Sequence, residues 1–180
     1  MPIGVAFRSL MAAGAGGAAA AWDVIDSTTL GSAAASISFA TGLSGYKLFR
    51  VTAYMIKDGT GGNAQLRLNN DSGANYDDQR VQGFVTSTPS GRATSQTYVL
   101  LAQLDASTAG TIEIIIGKQL AGATGMILSE STQLVSGYFV TRYVAGRWVN
   151  TADLISRIDL ISSGGNFAAG TVVVLEGVPD

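Results

Sequence analysis

The sequence contains neither cysteine nor histidine. Without cysteine there are no disulfides, no thiolate zinc sites and no thiol nucleophile. Without histidine, Ser-His-Asp and Cys-His catalysis and imidazole-ligated metals are excluded as well. Any enzymatic chemistry would have to run on carboxylates, lysine, tyrosine or threonine, and no cofactor is expected. Charge is scarce too: Asp, Glu, Lys and Arg make up 13% of the chain, against 47% hydrophobic residues. Soluble domains carry about 25% charged residues, so much of this surface is expected to be covered by other copies or partners. The 11 basic and 13 acidic residues leave a net charge of −2, and the basic ones are scattered. No basic run suits a phosphate backbone or an anionic membrane, so neither nucleic acid nor membrane insertion is expected.

What is present is 180 residues of β grammar behind an unusual opening. Residues 1–21, "MPIGVAFRSLMAAGAGGAAAA", form an Ala/Gly-rich stretch. Arg8 followed by an apolar run admits a secretory-signal reading. Gly14, Gly16 and Gly17 dilute that run, which is also too short and glycine-rich to span a bilayer. The expectation is an attachment arm, with Phe7, Arg8, Leu10 and Met11 as its contact residues, preceding one domain over 22–180.

From Trp22 onward, runs rich in Val, Ile, Thr, Tyr and Phe alternate with Gly, Ser, Asn and Asp clusters. "ASISFA" (Ala35–Ala40) alternates cleanly. "YKLFRVTAYMI" (Tyr46–Ile56) places Phe49, Val51, Ala53 and Met55 on one face. "DGTGGN" (Asp58–Asn63) reads as a turn across which "AQLRLN" pairs back. Further strands are expected at Gln79–Thr86, Gln96–Leu104, Thr111–Ile116, Met126–Ser131, Ser136–Val144, Leu154–Ile161 and Thr171–Leu175. In "TIEIII", Ile112, Ile114 and Ile116 share a face and Glu113 points away. No sustained helical period appears. The expected fold is all-β, a single jelly-roll-like β-sandwich of about eight to ten antiparallel strands.

The densest cluster of chemistry-bearing residues is "LRLNNDSGANYDDQR", Leu66–Arg80. Asn69, Asn70, Asp71, Asp77 and Asp78 offer oxygens of the kind calcium takes. The stretch lacks the spaced acidic order and distal glutamate of an EF-hand loop. Asn, Asp, Ser and Gly are also what turns demand, because Asx side chains cap backbone N–H groups. Asp77 and Asp78 do not suit a glycosidase pair, since neighbours on a strand point to opposite faces. "DGTGGN" has no phosphate-loop lysine. Tyr76, Tyr138, Tyr143, Trp148 and Asn150 are candidates for glycan binding, a ring stacking on a pyranose with amides taking hydroxyls. The alternative is that these rings fill the core or a subunit contact.

Three stretches carry a family resemblance: "WDVIDSTTLGSAAASISFATGLSGYKLFRV", "AQLRLNNDSGANYDDQRVQG" and "LISRIDLISSGGNFAAGTVVVLEG". Their order resembles a group of small β-rich proteins of tailed bacteriophages and prophages. The matching residues are Tyr46, Arg50, Leu66, Arg67, Asn69, Asp71, Ser72, Gly73, Asn75 and Tyr76. Toward the end they are Ile155, Ile158, Leu160, Phe167, Ala169, Gly170, Thr171, Leu175 and Gly177. Glu176 departs from the aromatic that usually precedes the final glycine. The resemblance spans both ends of the domain and supplies no active site. It implies a non-enzymatic structural protein of the virion, usually of tail-fibre, tail-tip or surface-decoration type. The expectation is a self-associating tail-fibre or tail-tip subunit, a homotrimer that contacts other virion proteins and a host-surface glycan. A capsid decoration protein, or a stand-alone carbohydrate-binding module, is the alternative.

Overall fold

A computed structural model describes residues 22–118 and 122–180, so the expected arm, with Phe7, Arg8, Leu10 and Met11, lies outside the described residues. Twelve strands form among them: β1 Asp23–Thr29, β2 Ser36–Phe39, β3 Tyr46–Ile56, β4 Gly62–Leu68, β5 Tyr76–Phe84, β6 Ser90–Gln96, β7 Val99–Leu104, β8 Ala109–Gly117, β9 Gly125–Val135, β10 Tyr138–Trp148, β11 Ile158–Ser163 and β12 Val172–Pro179. They make two antiparallel sheets, a large one ordered β1-β12-β3-β8-β9-β10-β5-β6 and a small one ordered β2-β11-β4-β7. The chain is therefore all-β and built as a two-sheet sandwich, as expected. The additional strands are β1 (DVIDSTT) and β6 (SGRATSQ), both polar edge strands that leave little apolar periodicity to read.

Period-two alternation fixes what each sheet buries. On β3, Phe49, Val51, Ala53 and Met55 face inward, and on β8 Ile112, Ile114 and Ile116 do the same while Glu113 is exposed. Opposite them, the small sheet contributes Ile37, Phe39, Leu66, Leu68, Leu101, Ile158 and Leu160. Trp148, Tyr76, Phe39, Phe49 and Phe167 are the bulkiest apolar residues of this core.

One expected pairing is corrected. β3 and β4 do not form a hairpin across "DGTGGN": β3 pairs with β12 and β8, whereas β4 pairs with β11 and β7. The turn carries the chain from one sheet to the other. It is built by Asp58, whose carboxylate accepts the N–H of Thr60 at 3.0 Å and of Asn166 at 2.8 Å. The stretch after Leu68 makes a second such crossing, from β4 in the small sheet to β5 in the large one. Strands of one sandwich alternate in the same way whichever sheet they join, so sequence pattern cannot distinguish a hairpin from a crossing.

Candidate functional site

At one end of the sandwich, the Asn/Asp stretch after β4 ties three loops together. Asn69 and Asn70 both have φ of 54°, and the Asp71 N–H bonds the Leu68 carbonyl at 3.0 Å. Two successive left-handed residues closed by that bond match a type I′ turn, a conformation asparagine tolerates better than other side-chain-bearing residues. Asn69 then acts as a staple: its Oδ1 accepts the N–H groups of Ser156 at 2.8 Å and Arg157 at 3.0 Å, and its Nδ2 donates to the Leu154 carbonyl at 2.8 Å.

Asp71 is the hub. Its carboxylate accepts from the Gly73 N–H at 2.8 Å, from Asn75 Nδ2 at 2.9 and 3.2 Å, and from the Trp148 indole N–H at 2.7 Å. Partial burial pushes its pKa upward, but these donors outweigh that and hold it below the usual carboxylate value. Tyr76, on the return strand, is fully buried; its hydroxyl accepts from the Leu68 N–H at 2.9 Å and lies 3.2 Å from the Leu68 carbonyl, to which it can donate. Burial pushes its pKa up to about 12.

The cation candidates Asn69, Asp71 and Asp77 do not converge. The oxygens of Asn69 and Asp71 face N–H donors, which a cation would have to displace. Asp77 lies on the outer face of the large sheet, bound to Arg147 at 2.6 Å and to the Ser95 N–H at 2.9 Å. Asp78 points to the opposite face and is 3% exposed, beside Arg80 at 3.0 Å. Among the described residues no group of three or more acidic, cysteine or histidine residues could hold a metal ion.

The glycan candidates divide. Tyr76 and Trp148 are corrected to core residues: both are 0% exposed, and each has its polar atom bonded inside the fold. Their β-strand phase turns them inward, and no ring face is left for a sugar. Asn150 caps its own loop through Ala152, Asp153 and the Asp153 carboxylate. Tyr138 and Tyr143 are exposed, at 52% and 51%. Tyr138 sits at the β9–β10 turn with Phe84 6.2 Å away edge-on, and Tyr143 lies mid-strand on the outer face of the large sheet. Five residues of strand separate them, roughly 17 Å, so they form no common platform.

That outer face is the feature sequence reading missed. Along β9 the inward residues include Ser129, Ser131 and Gln133, while Met126, Leu128 and Leu134 point out. Along β10 Arg142 is buried and Phe139 and Tyr143 are exposed. Ile127, Val135, Val140, Val144 and Trp148 are buried beside those polar residues, so the hairpin is apolar on both faces, unlike an ordinary half-buried sheet. Its inward polar atoms are poorly matched: Ser129 Oγ, both amide atoms of Gln133 and one Arg142 nitrogen have no hydrogen-bond partner among the described residues. Arg142 does bond Gln82 at 2.7 Å and lies near Asp78 and Arg80; burial lowers its pKa. The signal was in the sequence, in "GMILSESTQLV", where the two alternating sets differ in size and polarity; only the phase was missing.

Two shallow concavities of about 310 and 490 Å³ lie on this face, sharing Gln79, Arg92 and Ala145. Ala145 presents only a methyl between Met126 and Leu128 on one side and β5 and β6 on the other. The small sheet's outer face is polar by contrast, with Arg157 and Ser38 bonded to Asp159 at 2.8 and 2.5 Å.

The fold defines the class: an all-β protein of two antiparallel sheets packed as a sandwich. Comparison with known protein families and with curated proteins finds no match for this chain.

Proposed function

We propose that this protein is a non-enzymatic structural subunit of a tailed-phage virion, a self-associating tail-fibre or tail-tip component that assembles as a homotrimer. The observation that carries the reading is the apolar outer face of the β9–β10 hairpin. Met126 and Leu128 are 60% and 59% exposed on a sheet face with nothing over it among the described residues, while polar side chains occupy the interior. A face left in water would favour polar residues at these positions, and burying it in an assembly accounts for their apolar character.

The strand order supports a jelly-roll origin. With β2, β3, β4, β5, β6, β7, β8 and β11 taken as its eight strands, the small sheet is first-eighth-third-sixth, and the large one contains second-seventh-fourth-fifth. The β9–β10 hairpin is inserted between the seventh and fourth. Two inserted strands preserve the antiparallel alternation, which one would not. β1 and β12 extend the opposite edge. A jelly roll widened in this way acquires a broad flat face, which suits lateral assembly.

The polar turn around Asp71, whose oxygens are occupied by N–H donors, supports a structural rather than a catalytic role. Mass spectrometry of particles purified from a lysate of cells carrying this gene tests the reading. The chain is expected in the particle fraction at copy numbers divisible by three; its confinement to the soluble fraction would overturn it.

A further inference from the structure

We infer that the outer face from β8 to β6 binds the same face of another copy, the acidic half of one meeting the basic half of the next. The inference rests on the self-association reading and names its surface and pairing. On β8 and β9, Glu113 and Glu130 stand directly opposite each other, both exposed. Like charges so placed destabilise a sheet unless a cation lies over them. Neither forms a salt bridge among the described residues; Arg50, which Glu113 influences electrostatically, is bound to Glu176 at 2.7 Å.

At the other side, Arg92 on edge strand β6 is exposed and also forms no salt bridge among the described residues. Its nearest acid, Asp77, is held by Arg147. One face thus carries two facing carboxylates, of which Glu130 is hydrogen-bonded by the Tyr143 hydroxyl, and an arginine, none of them in a salt bridge among the described residues, with β8 and β6 separated by four strand spacings, roughly 19 Å. A single copy cannot bring them together, but a neighbour can.

Between them lies the material that association would bury. Glu130, Tyr143 and Val81 share one cross-strand row, and Leu128, Ala145, Gln79 and Arg92 share the row two residues away. Arginine reaches about 6–7 Å from its Cα, so the offset between Arg92 and the glutamate row is within span. A face about 19 Å wide and eleven residues long, roughly 35 Å, offers about 700 Å² per copy, which a threefold assembly divides between two contacts of about 350 Å² each, so that closure of the ring must add to what a single contact supplies. With three copies around an axis along the strands, each acidic half meets the next basic half, and Met126, Leu128 and Tyr143 line the axis.

Charge-swapped variants of the full chain test this by light scattering and sedimentation. Arg92→Glu alone, and Glu113→Lys with Glu130→Lys, are each expected to weaken association about tenfold or more. Mixed in equal amounts the two variants are expected to associate more strongly than either does alone, because a contact between one of each joins opposite charges, although a ring of three leaves one contact between like variants. Near-ultraviolet circular dichroism checks their folding; Arg92→Gln and the Glu→Gln pair, which keep size, are expected to weaken association less. If the wild-type chain associates and neither charge variant changes it, or the mixture fails to recover, the pairing is wrong while self-association stands. If the wild-type chain is monomeric throughout, both fall.

Discussion

The Trp148 indole N–H donates to Asp71 Oδ2 at 2.7 Å, joining the last residue of β10 to the turn that follows β4. The indole is fully buried, so this carboxylate is what allows the largest side chain of the core to lie with its polar atom inward.

Asp71→Asn keeps one acceptor oxygen and turns the other into an NH2 donor, so either Trp148 or Gly73 loses its acceptor and faces a donor instead. It is expected to cost about 2–3 kcal/mol in urea unfolding, because a buried donor left without a partner forfeits its solvation. Trp148→Phe, which removes donor and partner need at once, is expected to cost less than Asp71→Asn does. In the double variant the two losses are expected to be smaller than their sum.

The pH dependence follows from the same carboxylate. Its native pKa is lowered, so its contribution is complete above the unfolded value of about 3.9 and is lost as pH falls through the native value. Asp58 and Asp77 are lowered too, by backbone N–H bonds first. Stability is therefore expected to fall steeply below about pH 4, and Asp71→Asn to flatten that fall. Melting temperatures across pH 2–6 read both.

At the turn, two asparagines with the same φ separate backbone from side-chain effects. Asn70 is exposed, and its replacement by glycine is expected to change stability by less than about 0.5 kcal/mol, or to raise it. Asn69→Gly keeps the conformation but loses the bonds to Leu154, Ser156 and Arg157, an expected cost of about 2 kcal/mol. Hydrogen exchange at the Ser156 and Arg157 amides should accelerate in the second variant alone.

Gln133 is 2% exposed, and neither side-chain polar atom has a partner among the described residues. Gln133→Met keeps its volume and is expected to raise stability by about 1 kcal/mol. A loss of similar size in denaturant unfolding would mean that the amide is satisfied within the fold.

Legibility in the sequence followed the alternation of each strand. β3 and β8 were readable to the residue because their inward positions are large and apolar and the outward ones include Lys47, Thr52, Glu113. The polar edges β1 and β6 were not, since edge strands bury too little to leave a pattern. The Asx turn at Asn69–Asp71 was legible as a turn, but its crossing between sheets was not, because topology depends on contacts distant in sequence. Tyr76 and Trp148 could be read as surface rings because a ring's direction is set by strand phase, which depends on where the second sheet packs. The same dependence hid the candidate interface: Met126, Leu128 and Tyr143 read as ordinary strand residues until the small sheet showed which side was inside.

The most direct test of the assembly account is the mass of the purified full chain at micromolar concentration by size-exclusion chromatography with light scattering. Three times the chain mass of 18.5 kDa is predicted, falling toward one chain in Leu128→Asp, whose substitution lies on the outer face and leaves the core intact. A wild-type mass of 18.5 kDa across that concentration range would contradict it.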